Sequence, residues 1–178
     1  MNVNNITCTF NIGCKVSFSF LINKLGNFEL KKNFMIIRIR KPKATALLFE
    51  SGCISMSGLQ SVESARKASR RYARLIQKAG YPVCSVKNFV IQNIACSCKV
   101  PWRLDIGKLA NVLDCRIAYG EGNAAATVIG DGSKRFRFFY TGSIIITGYK
   151  DINEMQSEYR EYVILVASLI RRNGTSQV

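Results

Sequence analysis

Seven cysteines, 11 carboxylates and no histidine are the side chains from which this chain of 178 residues could build a reactive centre. Without an imidazole there is no Ser-His or Cys-His dyad, and the commonest general base near neutral pH is missing. Cys96 and Cys98 stand one residue apart, tighter than the usual half-site of a zinc ligand set. Cys8, Cys14, Cys53, Cys84 and Cys115 are scattered singly. All seven read as apolar thiols of a reducing compartment, and neither metal nor cofactor is expected. The acidic residues form no paired-carboxylate metal motif, so catalysis is not expected. What the chain has in quantity is positive charge: 26 Lys and Arg against 11 Asp and Glu, a formal net charge of +15. A domain this basic is suited to a polyanion, because neutralising phosphates releases counterions and adds affinity independent of sequence.

The elements that would carry this charge are those of an ordinary globular protein, with 48% hydrophobic and 21% charged residues. No apolar run reaches the roughly 18–20 residues that span a bilayer. The start lacks a basic segment followed by an apolar stretch and a cleavage site, so no signal peptide is expected. The chain also repeats itself. Phe49-Glu50-Ser51-Gly52-Cys53-Ile54-Ser55-Met56-Ser57-Gly58 returns 90 residues later as Phe139-Tyr140-Thr141-Gly142-Ser143-Ile144-Ile145-Ile146-Thr147-Gly148. Asn5-Ile6-Thr7-Cys8 returns 88 residues later as Asn93-Ile94-Ala95-Cys96, and Tyr72 returns as Tyr162 after 90. Three matches in one order mark a duplication. It divides the chain into a first repeat over residues 1–85, a second over 86–173, and a short flexible tail over 174–178.

Each repeat reads as strands followed by one long helix. Ile6 to Asn11, Phe34 to Arg40, Thr45 to Phe49 and Ile54 to Ser57 predict strands, with Lys41-Pro42-Lys43 and Ser51-Gly52 as turns. Phe89 to Cys98 opens the second repeat as a strand, and Arg135 to Tyr140 and Ile144 to Thr147 repeat the hairpin around Thr141-Gly142. Ser61 to Ala79 places Val62, Ala65, Tyr72, Ile76 and Ala79 on one stripe; Asp151 to Arg171 does so with Met155, Tyr159, Tyr162, Val163, Val166 and Ile170. Gly80 and Gly174 stand where left-handed caps would end these helices. One helix covers one sheet face and nothing local covers the other. Alternation sends Asn5, Thr7, Leu47, Phe49, Ser55 and Ser57 to that open face, with Ala95, Phe139, Ile145 and Thr147 in the second repeat. Hydroxyls and amides beside uncovered Leu and Phe call for a partner.

Ile37 to Phe49, Arg71 to Lys78 and Ile91-Gln92-Asn93-Ile94 resemble the matching segments of TATA-binding proteins. The resemblance spans about residues 1 to 172, and the second hairpin looks closer to the divergent TATA-binding-protein-like factors. It implies an α+β fold in which two pseudo-symmetric repeats form a saddle of curved antiparallel sheet, with the long helices on the convex face. It implies a factor of transcription initiation, nuclear if the source is eukaryotic, that binds double-stranded promoter DNA in the minor groove, kinks it with aromatic wedges and recruits preinitiation factors. Carried over residue by residue, Asn5 and Asn93 meet base edges near the pseudo-twofold centre. Thr7, Leu47, Ser55, Ser57, Ala95, Ile145 and Thr147 pack on the groove floor. Phe49 and Phe139 each match one member of an intercalating pair, while Arg38 and Lys43 match phosphate contacts.

The departures predict altered or weakened TATA preference. The partner of the first wedge falls near Lys32, with Phe34 two residues away, and that of the second falls near Gly122, where no phenylalanine stands. Tyr119 to Ala126 replaces the acidic, proline-containing segment through which the family binds transcription factor IIB. Arg137 stands where an apolar groove contact is usual, and Cys53 and Ser143 stand where the family has lysine. Arg66, Lys67, Arg70, Arg71 and Arg74 form a basic helix face; in this family the corresponding surface meets regulators such as transcription factor IIA. An alternative reading is an assembly platform that keeps the fold but has lost tight, sequence-specific DNA binding.

Overall fold

The computed structural model describes residues 1–83, 85–120 and 123–174. The chain divides into two compact units: Val3–Asn93, and Ile94 onward together with Met1–Asn2. In the first unit β1 (Asn2–Asn11) is followed by α1 (Phe18–Ile22), β2 (Phe28–Leu30), β3 (Met35–Arg40), β4 (Lys43–Leu48), β5 (Cys53–Leu59) and α2 (Val62–Lys78). The first half of β6 (Lys87–Lys99) belongs to the first unit and the rest to the second, where it is followed by α3 (Ile106–Val112), β7 (Arg116–Gly120), β8 (Asn123–Ile129), β9 (Arg135–Phe139), β10 (Ser143–Tyr149) and α4 (Ile152–Gly174). The sheet orders are β2-β3-β4-β5-β1 and β6-β10-β9-β8-β7, with antiparallel pairing throughout. The fold class is α+β.

Period-two alternation decides which side of each sheet is dry. Ile6, Cys8 and Phe10 of β1, Ala46 and Leu48 of β4, and Ile54 and Met56 of β5 are all buried. Residues between them on the same strands are half-buried or exposed. α2 closes the dry side with Ala65, Ala68, Ser69, Tyr72, Ala73 and Ile76. Ala68 and Ala73 thus join the stripe read from the sequence, while Val62 is only half-buried. A capping box starts the helix: Ser61 Oγ accepts from Ser64 N at 3.0 Å, and Ser64 Oγ accepts from Ser61 N at 3.2 Å. Gly80, at φ +106°, ends it in the left-handed conformation expected of a terminal glycine. The expectation for Gly174 differs, since that residue is the last of α4 and not one that follows it. The rest of the predicted tail, residues 175–178, lies outside the described residues.

The duplication extends to single backbone bonds. Gly52 N donates to Phe49 O and Gly142 N to Phe139 O, each at 2.9 Å. Ile12 N donates to Gly52 O at 3.0 Å and Val100 N to Gly142 O at 2.9 Å. The two turn glycines have φ +82° and +80°. A Cβ at Gly52 would lie 2.0 Å from the Cys14 carbonyl oxygen, and one at Gly142 would lie 2.4 Å from that of Trp102. Only glycine fits there. β2, β7, β8, α1 and α3 are additions to the elements read from the sequence.

The two cores differ behind this shared frame. Tyr72, fully buried, donates its hydroxyl to Ala44 O at 2.9 Å or Ile37 O at 3.2 Å. Burial pushes its phenol well above the ordinary value. Tyr162 instead packs a tilted ring against Phe136, with centroids 4.5 Å apart, and meets Phe138 edge-on at 5.9 Å. Beside them Lys134 Nζ reaches Glu154 and Glu158, each at 2.7 Å, and Tyr149 donates to Glu158. Burial alone would raise the Glu158 carboxyl. The hydrogen bonds from Lys134 and Tyr149, with the Lys134 charge, outweigh it and hold the group below 4.5. Hydrogen bonds that Lys134 donates to Glu154 and Glu158 raise its own ammonium above 10.5.

Two outcomes follow. Tyr72→Phe removes the hydroxyl from two buried carbonyls and should cost about 1 kcal/mol in urea unfolding, with the slope unchanged. The depressed Glu158 carboxyl contributes stability above pH 4.5 that is lost as pH falls through its folded value. The raised Lys134 contributes below pH 10.5 and is lost as pH climbs through its own folded value. Thermal midpoints should therefore hold between those limits and drop in acid, and Glu158→Gln should flatten the acid limb.

Candidate nucleic-acid interface

The open face of the first unit is laid out by strand register. One row across the sheet runs Ile36, Leu47, Ser55 and Thr9, and the next runs Arg38, Thr45 and Ser57. Short hydroxyls therefore lie next to aliphatic side chains, giving a surface that is flat and only partly polar. Asn5 and Thr7 share this side on β1; Asn5 Oδ1 accepts from Gly58 N at 2.7 Å. Thr9 Oγ1 accepts from Gln92 Nε2 at 2.8 Å. Asn93, half-buried on β6, also has an interaction partner. The strand alternation sends Thr9 and Asn11 of β1 to the open face as well, and it also indicates Ile36 and Thr45, which sequence reasoning left out.

At the end of this face Phe49 follows β4 directly and meets Phe34, their ring centroids 6.0 Å apart at 54°. The position aligned with the wedge partner by spacing was Lys32. The hydrogen bond from Lys31 N to Phe34 O closes the β2–β3 connection so that Phe34 supplies the second ring. Phe34 and Phe49 thus form an aromatic pair at this edge of the sheet. In the second unit the counterpart sought near Gly122 lies outside the described residues. Phe139 is half-buried and pairs in register with Ala125.

The second open face departs from the first at its centre. Its row runs Thr127, Arg137, Ile145 and Ser97. Arg137 therefore takes the place of Leu47 and Ile145 that of Ser55, while Thr147 pairs with Arg135. Arg137 is exposed, Ile145 is 38% exposed, and Ala95 and Thr147 are half-buried. A cation thus stands among apolar and hydroxyl side chains, where it can add attraction for phosphate without adding a base-specific pattern.

The remaining cations serve different ends. Arg38 lies 3.3 Å from Glu29, and Lys31 lies 2.5 Å from the same carboxylate. Hydrogen bonds from Lys31 and Arg38 hold Glu29 below its ordinary range. Arg38 is thus partly neutralised, whereas Lys43 is exposed at the start of β4. On α2, Lys67, Arg70, Arg71, Arg74 and Lys78 line an open concavity of about 610 Å³ with Leu75. Arg71 also donates to the Lys41 carbonyl, and Lys67 lies 2.7 Å from Glu63. Arg66 stands apart, its guanidinium 4.8 Å from the Phe89 ring centroid. Among the described residues no group of Cys, Asp or Glu gathers as a metal site. Burial pushes the Cys8 thiol up to about 11 and raises Cys96, Cys98 and Cys115, so these thiols are protonated near neutrality.

The family model described as "Transcription factor TFIID (or TATA-binding protein, TBP)" matches residues 1–79 and 88–169. The chain belongs to the TATA-binding protein family. That family is one of transcription factors, not enzymes. Its relatives include "TATA-box-binding protein 2" of Entamoeba histolytica, 34% identical over 170 residues, 92% of this chain and 80% of that protein. "TATA-box-binding protein-like 1" of the same organism is 31% identical over 170 residues, covering 92% and 78%. "TATA box-binding protein-like 2" of Mus musculus is 43% identical over 107 residues, 57% of this chain and 30% of that protein. The solved structure of Methanococcus jannaschii TBP superposes with a TM-score of 0.81, covering 94% of this chain and 98% of its own. At 19% identity that likeness establishes the TBP fold.

Proposed function

We propose that this TBP-family chain is a DNA-binding factor of transcription initiation, acting in the nucleus of a eukaryotic source. It reads the promoter minor groove through the open sheet faces and recruits preinitiation proteins, with weakened or altered TATA preference. The observation that carries this reading is the open face of the first unit, where Asn5, Thr7, Leu47, Ser55 and Ser57 end against the Phe34–Phe49 pair. A·T pairs present only acceptors in the minor groove and lack the guanine amino group. An asparagine amide can serve those acceptors, and flat apolar contact suits a floor without that group. Paired rings at the edge can enter a base step and unstack it, as minor-groove binders of this family do. Arg38, Lys43 and Arg137 add phosphate attraction, while Asn93 joins Asn5 on the first unit, and Ala95, Phe139, Ile145 and Thr147 bring the second unit to the same task.

A second role, recruitment, rests on α2. Six of its side chains are basic, Glu63 is its one acid, and five of the cations line a single concavity. Charge complementarity suits an acidic partner such as a transcription factor IIA-like protein. A IIB-like partner would fall to the segment from Tyr119 to Ala126, of which residues 121 and 122 lie outside the described residues.

Fluorescence anisotropy with a TATA duplex and a G·C-rich duplex of equal length, over several salt concentrations, tests the reading. A TATA preference that persists as salt rises supports it. Equal, steeply salt-dependent binding to both, or none, overturns it in favour of an assembly platform. Arg137→Leu should sharpen the preference and lower the salt slope by about one charge. Removing Phe34 and Phe49 together should reduce DNA bending, measured by end-to-end energy transfer, more than it lowers the unfolding midpoint. An unchanged bend would refute the wedge role.

A further inference from the structure

β5 carries one more residue than β1 between the pairs Ile6–Leu59 and Cys8–Met56. The extra residue makes a bulge, and Gly58 sits in it at φ +93°. A bulge takes a backbone N–H out of the ladder, and such a donor needs another acceptor. Gly58 N–H finds it in the Asn5 side chain, donating to Oδ1 at 2.7 Å.

That bond settles the polarity of the carboxamide. A freely rotating asparagine can offer either its oxygen or its NH2 to a ligand. Here the oxygen is turned to the β5 backbone and the NH2 is left for the open face. Nδ2 reaches Thr7 Oγ1 at 3.5 Å, the limit of a hydrogen bond. We infer that the Gly58 bulge is a polarity lock that makes Asn5 an obligate donor, so that the first unit accepts acceptor-bearing groove edges and rejects the guanine amino group. This rests on the minor-groove reading above and adds the device that enforces it. Adenine N3 and thymine O2 pair with a locked NH2, whereas a guanine amino group faces it donor to donor and leaves both unpaired. The second unit repeats the bulge, with Gly148 at φ +91° and a register shift between Ile146 and Tyr149.

Two measurements test the lock. Amide hydrogen exchange of the free protein reads the bond itself. Asn5→Ala should speed exchange at Gly58 by up to about tenfold, while Asn5→Asp, which keeps an acceptor, should preserve protection. Unchanged exchange in Asn5→Ala overturns the lock. Binding to three duplexes that differ only at the step met by Asn5 reads the consequence. The wild-type chain should hold A·T and inosine·C alike and G·C about tenfold more weakly, since inosine lacks the amino group. Asn5→Asp should lose that ranking with its unfolding midpoint unchanged. A wild-type chain that prefers TATA yet does not separate inosine·C from G·C overturns the recognition half of the inference. A chain that binds no duplex removes that half together with the proposed function, and the Gly58 exchange rate distinguishes this from a failed lock.

Discussion

One long helix can dry only one side of a five-stranded sheet, and in each unit the chain supplies one long helix. Everything on the other side follows from that shortfall. Alternate residues of β1, β4 and β5 must suit water or a partner while their neighbours suit α2, and the sequence meets this with Thr, Ser and Asn between Ile, Cys and Leu. The open face is therefore no surplus of the fold. It is the unavoidable back of the surface that stabilises it, and its few apolar residues are free to be chosen for a ligand.

The duplicated frame carries two different solutions for the helix–sheet contact. In the first unit Ala44, Ala46 and Ala68 leave room for one tyrosine whose hydroxyl reaches strand carbonyls. In the second, aromatic rings fill the same space and an ionic clasp of Lys134 with Glu154 and Glu158 ties the loop before β9 to α4. Backbone features tied to tight geometry, such as the turn glycines, are kept in both units. Side chains that need only fill volume have drifted. The first open face stays hydroxyl-rich and aliphatic, whereas the second has Arg137 at its centre.

Much of this was legible in the residues alone. The repeated Phe-to-Gly hairpin, the strand alternation and the two helices are strong periodic signals, and they place the side chains of the open face correctly by side. The misses have physical causes. β8 begins with Asn123 and three alanines, which carry little strand preference, and α3 is only seven residues long. Spacing pointed to Lys32, two residues from Phe34, because connection residues have no alternation to fix them; the ring beside Phe49 is that of Phe34, next to the Lys31–Phe34 hydrogen bond. Arg66 looked like a member of the basic face, but stacking on Phe89, distant in sequence, gives it another neighbour.

The two bulges have a consequence for how the sequence can change. Up to Met56 the buried residues of β5 are even-numbered, and beyond Gly58 the buried residue is Leu59. In β10 the sequence passes likewise from Ile144 and Ile146 to Tyr149. The inserted glycine works as a phase shifter, setting the hydrophobic pattern of each hairpin in step with the helix that follows. Loss of a single codon there would leave every downstream residue chemically intact and facing the wrong way. These two hairpins can therefore tolerate exchange of most of their side chains far more readily than any change in their length.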